Sequence, residues 1–300
     1  MLQIIENISL QKINWKTENG KLAKCTIARL DEIHPVISGN KLFKLKYNLE
    51  KAAAEKKGIL TMGGAYSNHL AATAYCCRQQ GIATLGIIRG EITKPYNSTL
   101  QFCNENGMEL ISIHRKDYYS TSNAVKEIIQ QHASYYFVPE GGSNTEGQKG
   151  CAEILSCIAE SNTFSHIVCA VGTGTTFKGI ASSAFSHQTV VAIPVLKIPE
   201  HERKQFVQNH LLVETNALLK TFFKFGGKGY AQKDEQLFIF MNRFFIQTNI
   251  PLDFVYTAKL MMAVSSLYDD LYFSETDDVL VLHTGGLQGN KSLAKNVLHY

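Results

Sequence analysis

The sequence predicts an α/β protein built on parallel sheets, and three observations carry that expectation. Short apolar runs rich in Val, Ile and Leu recur along the chain, each followed by glycines and then by a helical pattern. The runs are continuous rather than alternating, as expected of strands covered on both faces. Strand and helix take turns, the order that parallel sheets with crossover helices require. At 300 residues with 45% hydrophobic content, the chain can bury one large core or two smaller ones.

The first helical pattern lies in "VISGNKLFKLKYNLEKAAAEKKG", residues 36–58. Ser38 and Asn40 are plausible caps, and Leu42, Leu45, Leu49 and Ala52 or Ala53 mark a buried stripe at helical spacing. Lys46, Lys51, Lys56 and Lys57 fall mainly on the wet side. Lys41 and Lys44 sit in the first turn near the edge of the stripe, where the positive helix end disfavours a cation. That field favours the neutral amine a Schiff-base nucleophile needs. Most helix lysines are nevertheless solvated surface, so both readings stand on this stretch alone.

The segment 58–81 predicts a strand at Ile59–Met62, a break at Gly63-Gly64, and an alanine-rich helix ending at Gly81. "ATLGIIRG" (83–90) is the next strand, and "QFCNENGMELISIH" (101–114) ends a helix at Gly107 and enters another. The strand–glycine–helix order recurs in "HIVCAVGTGTTFKGIASSAF" (166–185) and "DVLVLHTGGLQGNKSLAKNVL" (278–298), with a further strand at 190–196. Sheets of this kind bind ligands beyond the carboxyl ends of their strands.

Net charge is +4, with no block of like charges and no basic-aromatic interleaving, so a nucleic-acid partner is not expected. The densest charged patch, 199–205, mixes both signs and reads as a solvated loop or helix start. Seven cysteines without a Cys-x-x-Cys pair, and no spaced histidine pair, argue for free thiols in a reducing compartment and against a metal. The first residues lack a basic stretch followed by a long apolar one, and no apolar run reaches membrane-spanning length, so a cytoplasmic location is expected.

Three glycine-rich loops bear chemistry. In "AVGTGTTFKG" (170–179) Gly172, Thr173, Gly174, Thr175 and Thr176 open a helix, where backbone amides, hydroxyls and the positive helix end suit a phosphate. No Gly-Lys-Ser/Thr closes the loop, and Gly179 comes too late for G-x-G-x-x-G, so a compact phosphate fits better than a dinucleotide. In "GGAYSNH" Ser67, Asn68 and His69 stand at a helix start, suited to ordinary capping or to cradling a carboxylate. Tyr256 precedes an amphipathic helix, and Thr284 follows a buried strand and precedes Gly285-Gly286. There is no G-x-S-x-G, no His-x-x-x-His and no paired-carboxylate motif, which weakens hydrolase readings.

Together "HPVISGNKLFKLKYNL", "GGAYSNHLAATA", "VGTGTT", "LDFVYTAKLM" and "HTGG" resemble the D-cysteine desulfhydrase and 1-aminocyclopropane-1-carboxylate deaminase family. The resemblance covers nearly the whole chain and is strongest from 33 to 90 and in the last fifty residues. It implies a fold-type-II pyridoxal 5'-phosphate enzyme: two α/β domains with the cofactor in the cleft between them. Residues 1–53 and 151–300 would form the larger domain and 54–150 a smaller inserted one. Lys41 matches the Schiff-base lysine, with Lys44 a neighbour able to stabilise the phosphate. Asn68 matches the residue bonding the phenolic oxygen of the cofactor, and Gly172 to Thr176 the phosphate cup. Ser67 matches the residue for proton transfer or carboxylate binding, the carboxylate being held at Ser67 to His69, and Tyr256 matches the active-site tyrosine.

Two positions separate activities within the family. The cyclopropane-opening enzymes carry a glutamate after the tyrosine and a leucine after the histidine of "HxGG", whereas this chain has Thr257 and Thr284, as the desulfhydrases do. The family's usual proline and glycine are replaced here by Phe254 and Ala258. The resemblance thus implies β-elimination from a small amino acid, D-cysteine foremost, in a homodimer. A cyclopropane-carboxylate deaminase, a lyase for another β-substituted amino acid, and a ligand-binding relative without catalysis are the alternatives.

Overall fold

The computed structural model describes residues 7–300 except 38, 228, 230, 231 and 233. β1 (Leu10–Lys16) and β2 (Leu22–Arg29) open the chain. After them α1 (Lys41–Ala54), β3 (Gly58–Gly63), α2 (Asn68–Gln80), β4 (Thr84–Arg89), α3 (Ser98–Glu105) and β5 (Met108–Ile113) alternate. The alternation continues with α4 (Asn123–Gln131), β6 (Tyr135–Val138), α5 (Thr145–Ala152), β7 (His166–Val171), α6 (Thr175–Ser183) and β8 (Thr189–Pro194). The last third carries the short α7 (Arg203–Phe206), then β9 (Leu218–Thr221), α8 (Glu235–Thr248), α9 (Thr257–Asp269) and β10 (Val279–His283).

These elements pack as two units. Among the described residues, one comprises 41–150 and the other 7–40 with 151–300. The smaller unit holds a four-stranded sheet in the order β5-β4-β3-β6, parallel throughout. Both of its faces are covered. Leu60, Met62, Leu85 and Ile87 pack with Val125 of α4, while Ile88 packs with Leu70, Ala74, Leu100 and Cys103 of α2 and α3. That double burial is why these strands are continuously apolar.

The larger unit holds a six-stranded sheet in the order β1-β2-β10-β7-β8-β9. All its pairs are parallel except β1 with β2, joined by a tight turn that only an antiparallel pair allows. Trp15 anchors its core, edge-on to Phe244 and Tyr268, with Nε1 donating to Ser265 Oγ at 2.9 Å. An indole this deeply buried needs such a partner.

The two-sheet α/β architecture agrees with the sequence expectation, and the expected strands fall in β3, β4, β5, β7, β8 and β10. One local expectation fails. The stretch after Gly285-Gly286 forms a 3-10 turn at Leu287–Ser292 rather than a full helix. Gly286 is left-handed there, and Asn290 turns inward, accepting from Phe254 N at 3.3 Å and donating to Leu252 O at 2.9 Å. Helix α1 packs with α2 and β3 in the smaller unit, so the units divide between Asn40 and Lys41 rather than at 53/54. No helix among the described residues is long and apolar enough to cross a membrane.

Candidate active site

The smaller unit brings together Lys41, Lys44, Ser67, Asn68 and His69 at the start of α1 and α2. Lys41 is the first residue of α1 and half-buried, while Lys44, one turn on, is only 5% exposed. Lys44 therefore lies inside the apolar stripe that the spacing had put at its edge. Lys46, Lys51, Lys56 and Lys57 remain partly or fully exposed. Ser38 lies outside the described residues.

Ser67 caps α2, its Oγ accepting from Leu70 N at 3.3 Å. Capping uses a lone pair and leaves the hydroxyl proton able to meet an anion at the positive helix end. The fold-back of Ser67 depends on Gly63, where a Cβ would lie 2.7 Å from Ser67 Oγ.

His69 is 2% exposed, with Nε2 2.9 Å from Thr61 Oγ1. Thr61 Oγ1 spends its proton on Val138 O at 2.7 Å, so His69 must be the donor in the first bond. Its Nδ1 is then an acceptor, and it is buried without a partner. Burial, and then the charges of Lys41 and Lys44, push the ring down to about 3. His69 is thus a neutral Nε2–H imidazole offering a lone pair, a poor match for the carboxylate expected there. Left-handed Gly142 lies against both neighbours, a Cβ there falling 3.2 Å from Lys44 Cβ and 3.6 Å from His69 Cε1.

The larger unit gathers the other residues at the carboxyl ends of β2, β10 and β7, adjacent in the sheet. Gly172 to Thr176 run from β7 into α6. Gly174 caps α6 in the left-handed region, and a Cβ on it would lie 2.0 Å from His210 O. Thr173 and Thr175 pair their hydroxyls at 3.1 Å, and Thr176 Oγ1 accepts from Asn40 Nδ2 at 2.7 Å. Tyr256 lies beside this cup, its Cε1 3.1 Å from where a Gly172 Cβ would stand.

The loop after β10 meets the segment before Lys41. Asn40 N donates to Thr284 O at 3.3 Å, and a Cβ on Gly39 would lie 1.8 Å from that oxygen. Tyr256 and Thr257 are set by fully buried Asp253, whose Oδ2 accepts from Val255 N and Tyr256 N at 2.9 Å each. Its Oδ1 accepts from Thr257 N and from Thr257 Oγ1 at 2.8 Å each. Asp253 N in turn donates to Thr257 Oγ1 at 2.7 Å, so the Thr257 hydroxyl is spent on the cap.

Sequence reasoning passed over Asn40 as a strut, Asp253 as an anchor, and Thr61 as the setter of the His69 tautomer. The D-x-x-x-T spacing before α9 is a readable capping signal for the second. The other two depend on partners far off in the chain, Thr176 for Asn40 and Val138 for the Thr61 proton, which spacing does not show.

A family model described as pyridoxal-phosphate dependent enzyme matches residues 10–285. The chain belongs to that family. A Thermotoga maritima protein provisionally named 1-aminocyclopropane-1-carboxylate deaminase is 29% identical over 288 residues, covering 88% of each chain. The D-cysteine desulfhydrase of Yersinia enterocolitica is 24% identical, covering 85% of this chain and 84% of that one. The crystal structure of an ACC deaminase homologue superposes with a TM-score of 0.77 at 22% identity, covering 95% of this chain and 90% of that one.

The residues of this pyridoxal-phosphate enzyme fit the cofactor. Gly172 and Gly174 let Tyr256 and the His210 carbonyl pack directly against the turn, at a positive helix end with three threonine hydroxyls. Lys41 supplies a primary amine at the head of α1.

Proposed function

We propose that the enzyme removes the β-substituent and the amino group of a small amino acid, with D-cysteine the favoured substrate. D-Cysteine and water would give pyruvate, ammonia and hydrogen sulfide. Lys41 would hold the cofactor's aldehyde carbon, Gly172 to Thr176 its phosphate, and Thr284 would stand by its ring nitrogen. The bound cofactor supplies an electron sink for the pair left at Cα. The Ser67 hydroxyl and the positive end of α2 would hold the substrate carboxylate. Lys41 Nζ, displaced by the substrate amine, would become the base that takes the Cα proton, and the thiolate would leave from Cβ. Tyr256 would border the substrate.

The observation that carries this reading is at the start of α9. The Asp253 carboxylate is saturated by four donors and the Thr257 hydroxyl is spent on it, which supports a ring nitrogen that would meet the Thr284 hydroxyl rather than a carboxylate. A nitrogen without a carboxylate partner stays largely neutral, which gives a weaker sink. Elimination tolerates a weak sink, because the leaving group departs as the Cα–H bond breaks. Ring opening demands a deeper one.

The test is to incubate the loaded enzyme separately with D-cysteine, L-cysteine and 1-aminocyclopropane-1-carboxylate. Pyruvate with sulfide is expected from D-cysteine, and Lys41→Ala should lose both the product and the visible absorption band of the bound cofactor. Formation of 2-oxobutanoate from the cyclopropane, without sulfide from either cysteine, would overturn the reading.

A further inference from the structure

Lys259 lies in the first turn of α9, two residues after Thr257, and is 5% exposed. Its Nζ donates to three backbone carbonyls: Val195 O at 2.8 Å, Gly226 O at 3.1 Å and Gly229 O at 2.7 Å. All three ammonium protons are thereby used, and none goes to a carboxylate. Asp253 and Asp234 act on it only through their charge, while burial lowers its proton affinity. The start of a helix is also an unfavourable place for a cation. A buried ammonium that opposes the helix dipole needs a compensating structure, and the carbonyl cage is that structure.

The cage is closely built. Gly226 backs onto the segment after β8, where a Cβ would lie 2.2 Å from Leu196 O. Left-handed Gly227 passes the lysine stem, its would-be Cβ 3.7 Å from Lys259 Cε. Carbonyl oxygens converging at this distance replace the hydration shell of a potassium-sized monovalent cation. An ammonium ion is of similar size and makes the same contacts as hydrogen bonds.

We propose that Lys259 is a tethered monovalent cation, tying the backbone carbonyls of Val195, Gly226 and Gly229 to the head of α9, and that truncating it opens a site for a free cation of potassium or ammonium size. Lys259 is a positioning residue. It touches no reacting atom, and it holds the first turn of the helix that Tyr256 caps and Thr257 opens. Cation binding stands on the cage alone; only the consequence for Tyr256 rests on the proposed activity.

The experiment compares wild type and Lys259→Ala by thermal unfolding at matched ionic strength in lithium, sodium, potassium, ammonium and tetramethylammonium chloride. Wild type should be indifferent to the cation. The variant should lose about 5 °C or more in lithium or tetramethylammonium, and potassium or ammonium should restore at least half of the loss. In the loaded variant, kcat should recover in the same cation order. If the variant is insoluble, it is refolded from denaturant in the same salts, and the yield of soluble protein is read instead. A midpoint or yield that is the same in all five salts would overturn the proposal, and neither readout needs the enzyme to act on D-cysteine.

Discussion

Asp31 Oδ1 lies 3.0 Å from His283 Nδ1, with both side chains 2% exposed and His283 next to Thr284 in the chain. Arg29 closes the other side at 2.7 Å, and Pro251 O holds His283 Nε2 at 2.8 Å. Burial alone would raise the Asp31 carboxyl, but the hydrogen bonds and charges of His283 and Arg29 outweigh it and hold it at about 2. A depressed carboxyl stabilises the fold above its unfolded value of 3.8, and that stability is lost as pH falls towards 2. The contribution is about 2 kcal/mol. Asp31→Asn should lower the thermal midpoint near neutrality by about 5 °C, and the gap from wild type should narrow below about pH 4 and close near pH 2.

His69 imposes an earlier acid limit. Its folded value of about 3 lies below the ordinary 6.5, so the stability it confers is complete above 6.5 and falls as pH drops from there towards 3. The loss should reach roughly 2 kcal/mol by about pH 5. His69→Gln should flatten that part of the midpoint-against-pH curve. Nitrogen chemical shifts in the wild type should report a neutral ring protonated at Nε2 throughout.

The glycine loops should respond unequally to alanine. Gly174→Ala meets both a left-handed φ of 84° and the His210 carbonyl, and should cost at least about 3 kcal/mol together with cofactor retention. Gly64→Ala meets nothing closer than Arg89 Nη2 at 3.6 Å and should stay within about 0.5 kcal/mol of wild type. Thermal unfolding and gel filtration of the loaded proteins would measure both.

Asn40→Ala removes the donor to Thr176 and should weaken cofactor binding about five-fold, the equivalent of one hydrogen bond of about 1 kcal/mol. Titration of apoenzyme followed by absorbance gives the constant. Asn40→Asp should do worse, because it brings a negative charge beside the turn proposed to hold the phosphate.

Six of the seven cysteines are buried and Cys157 is partly exposed. Burial pushes the Cys76 and Cys103 thiols up to about 12. A thiol reagent at neutral pH should therefore titrate at most one thiol quickly in native protein and all seven after unfolding.

The sheets were legible because double-sided burial writes itself as continuous apolar runs, and α2 because Ser67 and Gly81 punctuate both its ends. The turn from β7 into α6 was legible because glycines and hydroxyls crowd it. The helix expected after Gly286 failed because Asn290 bonds to a segment some forty residues earlier in the chain, which outweighs local periodicity. Lys44 and Lys259 were illegible for a related reason. Their burial is set by glycine-backed loops far away in sequence, and an amphipathic pattern carries no record of those.

Gly39 and Thr284 close about four fifths of the chain into a loop, and Lys41 follows Gly39 by two residues. On a ribosome the lysine emerges early and its stop arrives late. The peptide leading into Lys41 cannot settle until the loop after β10 has been made and docked, a long-range closure of the kind that forms slowly. An incomplete chain ending before β10 would carry the amine without its setting. If Lys41 holds the cofactor as proposed, taking it up in register would mark a chain made through β10.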